Sequence, residues 1–470
     1  MQERPFIKLL ESPLNKYFYD VNKNQLVKIS DAVYDYLKSG KSEPDDGNVA
    51  AEIDKLKKKG FLSANRVKRM VHAETEKLPF HLEKNIAQIT LQVTQKCNFR
   101  CSYCPYTTAE FDSNRSHGVK TMSVEMGKKA VDFFVKHSMN QRKVALAFYG
   151  GEPLLGFDFI KQIVEYAEKQ FVGKELTFTT TTNGSLLTDE IINYFAEHNF
   201  LLVISLDGPR EVHNRSRKFA ASGKGTFDVI RKNLEMILNN HKDFAPSISL
   251  NVVIDPRYSA NDIHSVFSKD AVLSNFRVQT TIIDDFMSIE KVSAEDDYLI
   301  EDSIHMFKSY AAYMKKYPKE KISVVAGNRV EGSFELNKMR MKPEISLREE
   351  AAPGGPCIPG QKRLFINADG NFFPCERVSE VSDAMCIGNI NDGFDMDKAY
   401  KLLNIGQLTE NKCKNCFAFR HCTLCAKYCD NNGTLSAELK SSNCQRVHNE
   451  ILGLFKEYIF MKELIKEYAN

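Results

Sequence analysis

Two spacings of apolar residues alternate along this chain, and the places where one gives way to the other divide it. Residues 6–11 and 16–29, the latter with Tyr17, Tyr19, Val21, Leu26 and Ile29, follow the two-residue period of strands around a turn at Asn22-Lys23-Asn24. Short antiparallel strands are expected there. Residues 31–37 and 50–56 switch to helical spacing on either side of a linker with Ser39-Gly40-Lys41-Ser42, and Gly60 should stop the second helix. From residue 88 onward, short apolar runs at 88–94, 144–149, 176–182, 201–206, 248–254 and 276–283 alternate with amphipathic stretches at 124–136, 157–170, 188–198, 226–239 and 260–268. Strands joined by helical crossovers make a parallel α/β domain. Six such units predict a partial (β/α)6 TIM barrel, whose chemistry would sit at the C-terminal ends of its strands.

Beyond the barrel, residues 296–317 read as one more amphipathic helix, and 320–350 are charged without a legible period. Residues 353–444 are rich in Cys, Gly and Asn, as where bound metal rather than a large core fixes the chain. A last helix over 449–468 carries Ile451, Leu452, Leu454, Phe455, Ile459 and Leu464. The expected division is therefore 1–80, 85–290, 291–350 and 351–470.

Composition narrows the class of protein. At 470 residues the chain exceeds a single ordinary core, and 43% hydrophobic with 27% charged residues is the balance of a globular protein. No run of 18 apolar residues offers a membrane span, and Met1-Gln2-Glu3-Arg4-Pro5 lacks the apolar core of a secretory signal, so a cytoplasmic protein is expected. The 64 basic and 61 acidic residues leave a net charge of +3, which gives no electrostatic reason for a nucleic-acid partner. Twelve cysteines are too few for a disulfide scaffold of this length, but they are clustered.

The first strand runs into Thr94-Gln95-Lys96-Cys97-Asn98-Phe99-Arg100-Cys101-Ser102-Tyr103-Cys104. Three thiolates on a cubane [4Fe–4S] cluster leave one iron free for a small molecule, whereas a structural zinc site asks for a fourth ligand that is not nearby in sequence. The spacing C-x3-C-x2-C, with Tyr103 beside the last cysteine, resembles the defining motif of the radical S-adenosylmethionine (SAM) superfamily. That resemblance implies a SAM-chelating cluster on Cys97, Cys101 and Cys104, and reductive cleavage to a 5′-deoxyadenosyl radical that takes hydrogen from a substrate. Gly150-Gly151-Glu152-Pro153, at the end of the second strand, resembles the GGEP element of the family, with Gly150, Gly151 and Glu152 beside the methionine amine. Thr180-Thr181-Thr182-Asn183-Gly184 closes the third strand, and Ser205-Leu206-Asp207-Gly208-Pro209 the fourth, followed by His213 and Arg217. By the same resemblance Ser205 and Arg217 contact the cofactor. A plain turn with its own side-chain hydrogen bonds is the alternative for Ser205 and Asp207.

The remaining cysteines, with Cys357, Gly370-x4-Cys375, Cys413-x2-Cys416-x5-Cys422 and Cys444, resemble the SPASM extension, which carries two auxiliary clusters in peptide-modifying members. The resemblance gives Cys413, Cys416, Cys422 and Cys444 to an outer cluster, and Cys357 and Cys375 to an inner one. The sequence departs from the pattern at Cys425 and Cys429. Cys425 is taken as the third inner ligand, with Cys386 or Cys429 fourth, or with an open iron able to bind a substrate thiolate. Clusters that only staple the domain or relay electrons, and a free thiol at Cys386, remain the alternatives.

The strand and helix order of residues 6–62 resembles the small winged-helix-like domain that binds leader peptides by strand addition, with a structural cap as its rival. Together these features resemble a radical SAM/SPASM maturase of the thioether-forming kind found in sactipeptide and ranthipeptide biosynthesis. The implied cofactors are SAM and three [4Fe–4S] clusters, and the implied partners are a ribosomal precursor peptide and an electron donor such as flavodoxin or ferredoxin. Other radical SAM modifications, a carbon–carbon crosslink or sulfatase-type maturation, would share the clusters. An iron–sulfur electron carrier would not need the cofactor-binding strand ends.

Overall fold

Strands of a parallel sheet bury apolar residues against the helices that cover it, and the central sheet is built from such strands. The computed structural model describes residues 4–104, 117–283, 291–355 and 357–464. Its core strands are Gln88–Thr94, Lys143–Gly150, Glu175–Thr182, Phe200–Ser205, Ile248–Ile254 and Arg277–Ile282, all parallel and neighbouring one another in chain order. Ile89, Leu91, Val93, Leu146, Phe148, Phe178, Phe200, Leu202, Leu250 and Val252 along them are all but inaccessible to water. Each buried side chain of this size contributes about 2 kcal/mol. The crossover helices are Val124–His137, Phe157–Gln170, Asp189–Glu197, Phe227–Asn240 and Ala260–Lys269. Ser123, Thr188 and Ser259 cap three of them by accepting hydrogen bonds from backbone amides.

The sheet does not end with these six strands. Leu364–Ile366 pairs parallel to the first core strand, opposite Ile89, Thr90 and Leu91, and Asn371–Phe373, Gly388–Asn389 and Gly393–Phe394 continue antiparallel to a total of ten strands. The cysteine-rich region therefore shares hydrogen bonds with the six parallel strands across the expected boundary at residue 351.

At the N-terminus, Ile7–Glu11, Lys16–Asp20 and Gln25–Ile29 form an antiparallel sheet in chain order, followed by helices Asp31–Ser39 and Gly47–Lys58. The middle strand is buried on both faces, because Phe18 faces Val33, Val49 and Ile53 of the helices while Tyr17 and Tyr19 face the C-terminal helix at Ile451, Phe455 and Ile459. Polar contacts fasten the same interface. Arg420 donates to the carbonyls of Val21 and Asn22 at 2.6 and 2.9 Å, and Asn24 donates to those of Arg340 and Lys342.

The helix expected over 296–317 ends at Tyr313, and Lys315 adopts a left-handed conformation just beyond it. The unread stretch 320–350 contains the helix Val324–Arg340, started by a Ser323 cap and buried through Val325, Ala326, Val330 and Phe334. The last helix is Cys444–Leu464, five residues earlier at its start than expected, since Cys444 and Val447 extend the stripe of Ile451, Phe455 and Ile459. The expected end near Tyr468, and the Met1–Glu3 portion of the N-terminal reading, lie outside the described residues. Among the described residues no helix is long and apolar enough to cross a membrane.

Candidate active site and thiol groups

The loop that carries Cys97, Cys101 and Cys104 is held from two sides. Phe99–Cys101 forms a short antiparallel pair with Arg217–Phe219, which sets Cys101 opposite Arg217, and Ser102 and Ala220 extend the pairing to Ser216 and Asn98. The second strand end closes the other side. Gly151 N donates to Thr94 O at 2.7 Å and Glu152 N to Lys96 O at 2.9 Å, an approach that leaves no room for side chains. A Cβ on Gly150 would lie 2.2 Å from Thr94 O, and one on Gly151 2.2 Å from Lys96 O, while Gly150 also has φ 140°.

The three thiols feel one another. Burial pushes Cys97 up to about 11, with Cys104 adding to the shift, and pushes Cys101 up to about 12 against the pull of Arg217. Cys97 and Cys101 are therefore thiols at neutral pH, and ligation of iron by them would release protons.

Glu152 ties the second strand end to the third. It accepts from Leu154 N at 3.0 Å, Thr182 Oγ1 at 2.7 Å and Asn183 N at 2.7 Å, and among the described residues it has no cationic partner. Burial pushes its carboxyl from 4.5 up to about 6, and its charge in turn raises Cys97. The protonated form thus favours the folded chain below pH 4.5, an advantage lost as pH rises through 6. Relative to Glu152→Gln, the wild-type chain should lose about 2 kcal/mol of unfolding free energy between these limits. Chemical unfolding of the two cluster-free chains across this range measures it, and a constant difference would refute the shift.

The fourth strand end holds a buried network around Asp207, a residue read from the sequence only through the alternative of a plain turn. The Asp207 carboxylate receives Arg217 Nε at 2.8 Å and Nη2 at 3.1 Å, Val253 N at 3.2 Å and the Tyr103 hydroxyl. Burial pushes the Asp207 carboxyl up, but the Arg217 guanidinium outweighs this and holds it below its usual range. Arg217 lies 5.4 Å from the centre of the Tyr103 ring and points Nη1 at Cys101 Sγ, 3.9 Å away. Burial depresses His213 to about 4, so the ring is neutral. Its Nδ1 accepts from Asp207 N at 3.2 Å, which leaves the Nε2 proton for Thr226 Oγ1 at 2.9 Å. Ser205 is 8% exposed, and its hydroxyl makes no hydrogen bond among the described residues.

Among the other nine cysteines four share a cavity, and a further three interact through their charges. Cys413, Cys416, Cys422 and Cys444 line one cavity together with Pro353, Lys440 and His448. Burial pushes Cys416 up to about 12, and the three other thiols push the same way. His448 Nε2 lies 3.2 Å from Cys416 Sγ, and Thr409 Oγ1 3.2 Å from Cys413 Sγ. Cys375, Cys425 and the exposed Cys357 form the second group: burial raises Cys375 to about 11, with Cys425 and Cys357 adding to it. Cys429 is fully buried and directs its thiol to Cys425 O at 3.5 Å, while Cys386 directs its own to Gly388 O at 3.5 Å. Among the described residues no three His, Cys, Asp or Glu side chains are arranged around a single ion.

Residues 91–268 match the radical SAM superfamily. The chain carries a radical SAM domain. The chemistry of such a domain uses SAM and a [4Fe–4S] cluster. A cysteine-type anaerobic sulfatase-maturating enzyme of Clostridium perfringens is 24% identical over 379 residues, covering 77% of this chain and 93% of that protein. The radical SAM cyclopropyl synthase TigE of Paramaledivibacter caminithermalis is 23% identical over 356 residues, 72% of this chain and 67% of that one. Native anSMEcpe with bound AdoMet superimposes with a TM-score of 0.58 at 20% identity, over 82% of this chain and all of that one. At that identity the likeness is one of fold.

Sequence reasoning passed over several residues of this radical SAM enzyme's site. Asp207 was visible only as a turn former, and its role depends on Arg217 and Tyr103 arriving from other segments. Gly354 and Gly355 were also missed, although a double glycine is a signal of close backbone approach. A Cβ at Gly354 would meet Arg420 O at 2.0 Å, and one at Gly355 would meet Leu424 O at 2.6 Å, beside Cys422 and Cys425.

Proposed function

We propose that this enzyme joins cysteine sulfur to carbon in a cysteine-rich, ribosomally made precursor peptide. The observation that carries the reading is the group of Cys357, Cys375 and Cys425, three thiols of which one is exposed, beside a Cys429 bonded to a backbone carbonyl. A cluster on three thiolates keeps one iron open, and a substrate cysteine is a ligand of the matching chemistry. Cys386 is occupied within its own hairpin.

In this reading Cys97, Cys101 and Cys104 hold the SAM-binding cluster, and Cys413, Cys416, Cys422 and Cys444 the outer auxiliary one. Gly150 and Gly151 bring the second strand end onto the cysteine loop, and the buried Glu152 anion near Cys97 suits the cofactor's methionine ammonium. Ser205 presents an unpartnered hydroxyl, while Tyr103 and Arg217 close the site over Cys101. Bound there, the cofactor supplies one-electron abstraction of a hydrogen atom from an acceptor carbon. The thioether would form at the expense of one C–H and one S–H bond, the carbon hydrogen leaving as an atom to the adenosyl radical and the thiol proton to solvent, with a cluster held by the auxiliary cysteines able to take up the remaining electron.

The N-terminal sheet supports leader binding by strand addition, since Ile7–Glu11 and Gln25–Ile29 each pair on one side only. A flavodoxin or ferredoxin would supply the starting electron, in the reducing cytoplasm that suits exposed thiols. Sulfatase-type maturation is the second reading, favoured by the C. perfringens relative that spans 77% of this chain. Anaerobic reconstitution with iron and sulfide, then SAM, a reductant and a cysteine-rich precursor, separates the two by mass analysis. Loss of a pair of hydrogens per bridge with blocked thiols supports the thioether; an altered cysteine without a crosslink supports the second reading. Absence of 5′-deoxyadenosine under all conditions rejects both.

A further inference from the structure

A lysine ammonium withdrawn from water is costly unless an anion faces it. Lys440, on the short helix Ala437–Ser442, is only 3% exposed, and its Nζ donates to a single backbone carbonyl, Ile405 O, at 2.8 Å. Among the described residues it forms no ion pair with a carboxylate. Its side chain instead lines the cavity of Cys413, Cys416, Cys422 and Cys444, and its charge draws down the thiols of Cys422, Cys444 and Cys429. The cavity thus contains one buried cation and four groups that become anionic when they bind metal.

We propose that Lys440 is the counter-charge of the iron–sulfur cluster held by Cys413, Cys416, Cys422 and Cys444, and that it sets that cluster's reduction potential. This rests on the reading of those four cysteines as one cluster site. A thiolate-ligated cubane is an anion whose negative charge grows on reduction, so a fixed positive charge beside it favours the reduced state. Lys440 thereby raises the potential and makes the outer cluster a better acceptor for an electron arriving from the substrate side. It is a positioning residue, acting through the cluster without touching substrate.

The test uses the full chain reconstituted anaerobically, as wild type, Lys440→Met, Lys440→Arg and the double variant Cys413→Ala/Cys444→Ala. Iron and sulfide counts with electron paramagnetic resonance identify the outer cluster as the signal missing from the double variant. Redox titration of that signal is expected to move to a more negative midpoint in Lys440→Met and to return toward wild type in Lys440→Arg. Loss of the outer cluster in Lys440→Met with retention in Lys440→Arg supports the same role, because the charge alone is restored. An unchanged midpoint in Lys440→Met, or equal loss of the cluster in both variants, overturns the proposal in favour of a space-filling side chain. If wild type and double variant hold the same iron, the outer cluster site itself is refuted, an outcome distinct from the other two.

Discussion

Cys101→Ala is expected to reduce SAM cleavage to below detection and to lower the iron content by about four atoms per chain, the complement of one cubane. Among the three thiols of the first loop it is the one classed as buried, and it stands directly opposite Arg217 in the pairing that fixes the loop. Two remaining thiolates hold a cubane poorly, and the site offers no substitute, since the neighbouring carboxylates of Glu152 and Asp207 are committed to hydrogen bonds. The measurement is 5′-deoxyadenosine release by chromatography alongside iron and sulfide analysis. Cys386→Ala supplies the contrast, because that thiol bonds to its own hairpin and should leave both quantities unchanged. Cleavage that survives in Cys101→Ala would move the radical cluster away from this loop.

The reason this loop stood out in the sequence is local: its three cysteines lie within eight residues directly after an apolar strand. The core strands and crossover helices were legible on the same terms, because apolar residues at every second position mark a strand, as Ile248, Leu250, Val252 and Ile254 do in Ile248–Ile254, whose observed ends match those expected. Features that failed to show are those fixed by distant partners. The helix Val324–Arg340 buries small and scattered apolar residues among charges, so its period is weak. The pairing of Leu364–Ile366 with the first core strand joins segments some 275 residues apart, and nothing in three residues of sequence announces it. The outer thiol group could be suspected from its C-x2-C-x5-C spacing, whereas Cys357, Cys375 and Cys425, which come from three separate segments, were grouped only through the SPASM resemblance. The N-terminal sheet was read as a module apart, yet Tyr19 meets Phe455 at a ring separation of 4.3 Å and His421 Nε2 at 3.1 Å. The sheet is thus joined to the residue beside Cys422 through packed side chains rather than through a linker.

Asp207→Ala should cost about 3–5 kcal/mol of stability, the penalty for stranding a buried cation. Arg217 is 7% exposed and Asp207 2% exposed, and the guanidinium keeps one Nη1 contact to Cys101 but loses both of its carboxylate bonds. Tyr103 loses the acceptor of its hydroxyl in the same substitution, and Val253 N loses a partner. The damage should extend to function, because Tyr103 lies between Cys101 and Cys104, the proposed ligands of the first cluster, and Arg217 pairs with the strand that carries Cys101. SAM affinity should fall together with stability, and the absorption of the first cluster should weaken. Stability by chemical unfolding and SAM binding by equilibrium dialysis follow the two effects separately. The double variant Asp207→Leu/Arg217→Met is the decisive comparison, since removing both charges removes the stranded cation: it should be less destabilised than the sum of the single changes and bind SAM no better than Asp207→Ala. Additive stability losses would mean that the two side chains act independently, and that the short path from Tyr103 through Asp207 to Arg217 does not position the cysteine loop.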